Sequence, residues 1–276
     1  MTEFIAALPM YEWPETGAET DAEWARLRGA LRDHGIDAPA RIVRRNADLP
    51  AVPGGIRDAN GRVIAADPAT LAPDELDFHA LWLHPQLLFT QTCWGPMELG
   101  LARHVQVIGQ PSYGAFEGGQ GEFYSSALVM RRRNSPPAGD VAAPANGKAA
   151  IPLDLLRGKR LAYNSLDSMS GIIALTRDLG ATGESLDIFS GKIESGGHRQ
   201  SIMSVAEGKA DVAAIDCRSF ALAQRFEPAA ARVDVVGWTA RRKGLPYITA
   251  RTTPDALVAK LRAAVASISE AEALVG

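Results

Sequence analysis

The sequence predicts an α/β protein built as two lobes. Strand and helix signals alternate along most of its length, which implies mostly parallel sheets flanked by helices. The alternation runs as two series, separated by the Gly-rich stretch EGGQGE at residues 117–122. The chain has 276 residues, 46% of them hydrophobic, enough for one large domain or two of ordinary size.

In the first series Phe4–Leu8 is a short apolar strand. Thr20–His34 reads as a helix: Thr20 or Asp21 can cap it, Trp24, Leu27 and Leu31 recur near a 3.6 period, and Gly35 ends it. Ala40–Arg44 is a second short strand, and residues 47–72, rich in Pro, Gly, Asp and Asn, include loops. PDELDFHALW (73–82) suggests a short helix, Leu87–Gln91 a buried strand, Met97–Arg103 a short helix and Val105–Gly109 a strand. After the break come a strong strand over Phe123–Arg131 and a polar surface excursion, NSPPAGDVAAPANGKAA (134–150). Then follow strand Leu161–Tyr163, helix Ser168–Leu179, a strand near Asp187–Ser190, helix His198–Glu207, strand Val212–Ile215, helix Arg218–Gln224 and strand Val233–Trp238. The chain closes with a strand in LPYITA (245–250) and a helix over Pro254–Ser267, with Thr253 placed to cap and Pro254 in the first turn.

Composition excludes several roles. A formal net charge of −3 supplies no electrostatic attraction for nucleic acid or an anionic membrane. The one dense basic run, Arg131–Arg133, reads as a solvated strand end. No apolar run reaches the length of a membrane span, since ALWLHPQLLF (80–89) is broken by His84 and Pro85. The first residues, MTEFIAALPMYEWPE, have no basic n-region, so no secretory signal is visible. Cys93 and Cys217 lie far apart without metal-ligand spacing and read as reduced thiols. Neither a Walker loop, a G-x-S-x-G elbow, a G-x-G-x-x-G fingerprint nor an H-E-x-x-H motif is present. No cofactor and no metal is expected. His34, His79, His84 and His104 show no ligand spacing and are read as structural.

In an open α/β sheet, ligands sit beyond the carboxyl ends of the strands, at helix N-termini. The residues there are polar and aromatic: Tyr11 and Trp13 after the first strand, Thr92, Cys93 and Trp94 after Leu87–Gln91, and Gln110, Ser112 and Tyr113 after Val105–Gly109. After Leu161–Tyr163 comes a cluster of Asn164, Ser165, Asp167, Ser168 and Ser170, more than one helix cap requires. A helix start leaves backbone N–H groups unpartnered and carries a partial positive charge, so an anion fits it. Ser168 and Ser170 would add donors, and Gly171 would let the backbone approach. Plain capping explains the same residues equally well, and Asp167 opposes an anion unless it points away. His198, after Gly196 and Gly197 at a helix start, can donate to an anion or cap. Asp216, at a strand end, can accept from a ligand or cap the next helix.

Several segments resemble one family. Glu194–Asp216, ESGGHRQSIMSVAEGKADVAAID, is similar to the second-lobe segment of phosphonate/phosphate-type substrate-binding proteins of ABC transporters. FTQTCWGPM (89–97), RGKRLAYNSLDSMSG (157–171) and LPYITARTTP (245–254) resemble further segments of that family, in the same order. The resemblance implies the type II periplasmic-binding-protein fold, with a ligand cleft between two lobes that close by a hinge. Lobe one would comprise 1–117 plus 241–276, and lobe two 118–240. It also implies an anion held on a Ser/Thr-Gly turn, here Ser168, Ser170 and Gly171 with Asn164 near, joined by His198 and Asp216. First-lobe contacts would come from Tyr11, Gln91, Thr92 and Trp94. The turn NSLDSMSG is longer and more acidic than the family's compact form.

The function expected from this is a solute-binding protein that traps a small anionic or zwitterionic ligand, phosphonate- or phosphate-like, without chemistry. Its partners would be that ligand and ABC transporter membrane subunits. It would be periplasmic if an export segment precedes this sequence, and otherwise cytoplasmic. The alternative is a cytoplasmic enzyme on the same fold, similar to those of menaquinone or thiamin-pyrimidine assembly, acting on a small aromatic acid or heterocycle with His198 and Asp216 as acid and base.

Overall fold

In the computed structural model, residues 4–132 and 141–275 are described, the side chains of 269–275 excepted. The chain starts with strand β1 (Ile5–Ala6), helix α1 (Gly17–Asp33), a hairpin of β2 (Ile56–Arg57) and β3 (Val63–Ala65), helix α2 (Phe78–Trp82), β4 (Leu87–Gln91), α3 (Trp94–Glu98) and β5 (Val105–Gly109). It continues through β6 (Phe123–Tyr124), β7 (Ser126–Arg131), α4 (Leu153–Leu156), β8 (Arg160–Tyr163), α5 (Ala174–Ala181), β9 (Gly191–Glu194), α6 (His198–Ala206), β10 (Val212–Asp216), α7 (Cys217–Phe226), β11 (Val233–Trp238) and β12 (Arg242–Lys243). It ends with β13 (Tyr247–Ala250) and α8 (Asp255–Val275). Two compact units result: residues 1–111 with 245–276, and residues 112–244.

The first unit is built on a sheet of order β1-β4-β13-β5. The pair β1–β4 is parallel, while β13 runs antiparallel to both neighbours. Every residue of β4 is buried, so both of its faces are covered. Trp24, Leu27 and Leu31 from α1 and Leu261 and Val265 from α8 cover one face, packing on Phe89 and Ile108. Leu81 and Trp82 from α2 and Met97 from α3 cover the other, against Leu87 and Ile248. Helix α8 approaches β5 so closely that a Cβ on Gly109 would lie 2.4 Å from Val265 Cγ1.

The second unit has a sheet of order β11-β7-β10-β8-β9. The pairs β8–β9 and β8–β10 are parallel, as the alternation of strands and helices implies, and β7 runs antiparallel to β10 and β11. Leu128, Leu161, Val212 and Ala214 from the strands pack with Leu156, Leu175, Leu179 and Phe189. Helix α5 is fixed from its middle. Buried Asp178 accepts from Ala240 N at 2.8 Å and forms an ion pair with Arg242.

Several elements differ from the sequence reading. Residues 40–44 are irregular rather than a strand: the backbone oxygens just before them are taken by side chains, Ala38 O by Arg28 Nε and Pro39 O by Trp24 Nε1, each at 3.1 Å. The helix expected over 97–103 starts earlier, at Trp94, and breaks at Gly100, whose φ of 130° is open to glycine alone. The strand expected over 123–131 is interrupted at Ser125, whose hydroxyl donates to Gly118 O at 2.8 Å. Residues 186–188 form a 3₁₀ turn that drops Phe189 into the core, and the strand follows at Gly191. Helix α1 begins at Gly17, ahead of the expected Thr20, and α8 runs on past Ser267. Arg133 of the basic run and 134–140 of the polar excursion lie outside the described residues.

Arg160 at the start of β8 grips Asp211 with Nε and Nη2, each at 2.9 Å. The Arg160 hydrogen bond outweighs desolvation and lowers the Asp211 carboxyl to about 2. An unfolded Asp titrates near ~3.9. The folded value is depressed, so the pair's contribution is complete above about pH 4 and lost as pH falls through about 2. Discounted for its exposure, the pair is expected to raise the melting temperature by about 1–3 °C at pH 7. In Asp211→Asn that advantage should be absent at pH 7, and the gap to the parent should narrow as the pH is lowered from 4 towards 2. A gap that does not change with pH would remove the ion pair as its cause.

Candidate functional site

The candidate site lies at the carboxyl ends of β8 and β10, within the second unit. After Tyr163 the chain turns through Asn164–Asp167 and enters a short π-helix, Met169–Ile173, that leads into α5. Ser168 is its N-cap: Gly171 N donates to Ser168 Oγ at 3.0 Å. Ile172 N and Ile173 N both donate to Ser168 O, at 3.2 and 3.1 Å. At such a helix start the amides of Met169 and Ser170 have no acceptor in a preceding turn. The turn is tight. A Cβ on Gly171 would lie 2.8 Å from Ser168 Oγ and 3.1 Å from Asn164 Cγ, so a side chain there must displace the cap. Ser165 Oγ donates to Asp167 Oδ1, which occupies that carboxylate locally.

Three side chains meet beside this turn. His198 Nε2, at the start of α6, lies 2.8 Å from Ser170 Oγ and 3.1 Å from Asp216 Oδ2. The His198 and Asp216 side chains are only 10% and 4% exposed. Asp216 also caps α7, its Oδ1 accepting from Ser219 N at 2.9 Å. Burial alone would raise the Asp216 carboxyl, but the hydrogen bond and charge of His198, with the Ser219 bonds, hold it below the usual carboxylate range. With Asp216 ionised, the proton on Nε2 is donated towards it. Ser170 Oγ is then a second acceptor at that nitrogen, and its own hydroxyl hydrogen is free to donate elsewhere.

The site leaves buried polar atoms without partners among the described residues: Asn164 Oδ1 and His198 Nδ1 in this unit. Such an atom costs about 1–3 kcal/mol when buried unpaired, so each calls for an explanation. The first unit carries five such atoms among its described residues, Gln86 Oε1, Thr90 Oγ1, Gln91 Oε1, Thr92 Oγ1 and Trp94 Nε1. Gln91 ends β4, where its carbonyl accepts from Trp82 Nε1 at 3.0 Å. Trp94 starts α3 and is half-buried against the core. Tyr11, after β1, is buried.

The remaining sequence candidates have structural surroundings. Tyr113 is fully buried and stacked on Tyr124 at 5.2 Å. His84 is buried, with Nε2 against Pro50 O at 3.0 Å and Nδ1 accepting from Gln86 N at 3.2 Å. His34 Nδ1 lies 2.8 Å from Ala30 O. Cys93 and Cys217 are buried, and neither is in a disulfide. Burial, with the adjacent Asp216 charge, pushes the Cys217 thiol far above its usual range, so it is an inert packing group. Among the described residues no cluster of His, Cys, Asp or Glu could hold a metal ion. The sequence reading missed Ser126, which donates to Ser170 O at 3.0 Å, and Thr239, whose Oγ1 accepts from Ser126 N at 2.8 Å. The available signal was a pair of hydroxyl residues in an otherwise apolar strand.

A chain of two α/β units, each built on one larger sheet with polar groups at its strand ends, has the build of a two-lobed solute-binding protein. Residues 99–274 match the model of the family described as ABC transporter, phosphonate, periplasmic substrate-binding protein, and the chain belongs to that family. No curated protein matches it. Among solved structures, PhnD1 from Prochlorococcus marinus in complex with methylphosphonate is 13% identical, with a TM-score of 0.60 over 96% of this chain and 84% of that one. A binding component of an ABC phosphonate transporter from Pseudomonas aeruginosa is 13% identical, with a TM-score of 0.56 over 95% and 74%. A Xanthomonas citri protein bound to ATP is 13% identical, with a TM-score of 0.55 over 96% and 82%. At these identities the structures share the two-lobed periplasmic-binding-protein fold with this chain. The role is therefore binding of a small-molecule solute, and the family implies a periplasmic location. No helix among the described residues is long and apolar enough to cross a membrane.

Gly171→Ala sets the added methyl against the Ser168 cap. The expected outcome is a folded protein, by circular dichroism, with solute affinity at least about tenfold weaker, the loss of roughly one hydrogen bond to a charged group. Unchanged affinity would mean that the turn does not touch the solute.

Proposed function

We propose that this protein binds a small oxyanion of the phosphonate or phosphate type and delivers it to the membrane subunits of an ABC transporter. The turn at Ser168–Gly171 carries the proposal, because a helix start leaves the Met169 and Ser170 amides without an acceptor in a preceding turn. Met169 N and Ser170 N come from the helix start, and Ser170 supplies a hydroxyl hydrogen that His198 and Asp216 leave free. These groups match the three oxygens of a phosphonate, and the helix start favours their negative charge. Asn164 and His198 complete the second unit's binding residues, with Asp216 orienting His198. In the first unit, Gln91, Thr92 and Trp94 are proposed as ligand-binding groups on the strength of their buried unpartnered atoms, with Tyr11 beside them in the family's pattern.

The geometry opposes an enzyme that uses Ser170 as a nucleophile. In a nucleophilic triad the acid holds one imidazole nitrogen and the nucleophile the other. Here Ser170 and Asp216 share Nε2, so His198 cannot draw a proton from the serine while the acid steadies its far side.

Titration calorimetry against methylphosphonate, inorganic phosphate, sulfate, amino acids and small aromatic acids tests this reading. Saturable binding of a phosphonate or phosphate is expected, weakened about tenfold to a hundredfold in Ser170→Ala by loss of one bond to a charged group. Binding of none of these, or binding only of an aromatic acid, would overturn it.

A further inference from the structure

A groove in the first unit has no part in the solute turn. It runs between helix α1 and the irregular segment that follows it, and has a volume of about 500 Å³. Four of its lining residues are arginines: Arg28 and Arg32 on the helix, Arg41 and Arg44 on the facing segment. Only Asp21 in the lining is acidic. The chain as a whole has more acidic residues than basic ones, 32 against 29, so this concentration of positive charge is local.

The walls of the groove are fixed. Trp24 Nε1 donates to Pro39 O and Arg28 Nε to Ala38 O, each at 3.1 Å, which ties the segment to the helix. That attachment keeps residues 40–44 out of a sheet and sets their arginines opposite those of α1. Arg44 is already neutralised, its Nε donating to Glu12 at 2.6 Å and its Nη2 to Asp21 at 2.8 Å. Arg28, Arg32 and Arg41 form no ion pair among the described residues. Arg28 and Arg32 stand one turn apart, about 6 Å along the axis. Charges so close repel one another at 0.1 M salt, where screening takes about 10 Å, and an anion between the walls relieves that repulsion.

Shape and exposure select the occupant. The helical lining runs from Asp21 to Arg32, three turns or about 16 Å. The groove is therefore long and open, a place for several acidic groups along a chain rather than for one compact ion. Its floor admits a chain closely, since a Cβ on Gly29 would meet nothing within 4 Å, although alanine is the better helix former. Arg32 and Arg41 are exposed. Exposed ion pairs govern encounter and specificity more than affinity, which suits a partner that docks and leaves. The acids already seated on Arg44 are carboxylates, and arginine pairs with carboxylates in a two-pronged, directional way.

We propose that this groove docks an acidic segment of a partner protein, with Arg28, Arg32 and Arg41 receiving its carboxylates. Arg44, held by Asp21 and Glu12, closes the end nearest the start of α1. The proposal stands apart from the solute reading, because none of its residues belongs to that site.

The test uses the whole chain with fluorescein-labelled hexaglutamate as the acidic segment, followed by fluorescence anisotropy at about 0.1 M salt, where distant charges are screened. Saturable binding is expected, and it should weaken at least about tenfold when Arg32→Glu and Arg41→Glu are combined. The same change of charge placed elsewhere, Arg62→Glu with Arg251→Glu, should alter binding by less than about threefold, because screening isolates it. Gly29→Glu is a second variant that replaces a poor helix former; its carboxylate enters the groove, and hexaglutamate binding should again fall. Circular dichroism checks that each variant is folded. Lack of saturable binding, or equal losses in the two double variants, would overturn the proposal. So would tighter binding of inorganic triphosphate or of phosphatidylserine vesicles than of hexaglutamate, lost in the same groove variants, since the groove would then serve a small polyanion or a lipid surface.

Discussion

The buried carboxylate of Asp216 is the constraint on which the site depends. A carboxylate that leaves water is costly unless its oxygens are bonded, and here both are: Oδ1 by the Ser219 amide and Oδ2 by His198. The first bond makes Asp216 the cap of α7 and fixes it to the backbone. The second then sets the rotation and tautomer of the imidazole. With that nitrogen bonded to Asp216, the Ser170 hydroxyl hydrogen is not needed by the imidazole. One acid thus ends a strand, starts a helix and orients the two groups beside it.

The turn that faces these groups is held from three sides. Ser126 reaches from the neighbouring strand to the Ser170 carbonyl, Ser168 closes the cap, and Asp178 clamps the body of α5 through Arg242 and Ala240. Rigid support of this kind lets donors stay unsatisfied in the free protein, because they cannot relax onto each other. Polar atoms left bare at Asn164, His198, Gln91, Thr92 and Trp94 reduce stability locally.

Legibility in the sequence followed the range of the forces involved. Strands β4, β5 and β11 have the bounds expected from their apolar runs, and in β4 burial of every residue leaves a continuous signal. Helices α1, α6 and α7 were legible from periodicity, within a few residues at their ends. Residues 40–44 and 186–190 were not, since their fate rests on side chains donating from elsewhere and on one phenylalanine finding the core. The mixed direction of the sheets escaped for a related reason: strand direction is set by which strands return to which sheet, and alternation does not encode it. In the site, the residue types at 164, 168, 170, 171, 198 and 216 were legible, whereas Ser126, Thr239 and Asp178 act through contacts made only on folding.

By itself the sequence determined the class of protein and the chemistry at each strand end, because hydrophobic period, caps and glycines act over a few residues of chain. It left Ser168 and Asp216 open between capping and binding. The tertiary structure decided that both cap, and that a histidine 28 residues from Ser170 shares one nitrogen between the serine and the acid. Only three-dimensional packing could settle this, since a hydrogen bond's worth rests on distances of about 3 Å that no local pattern of residues specifies.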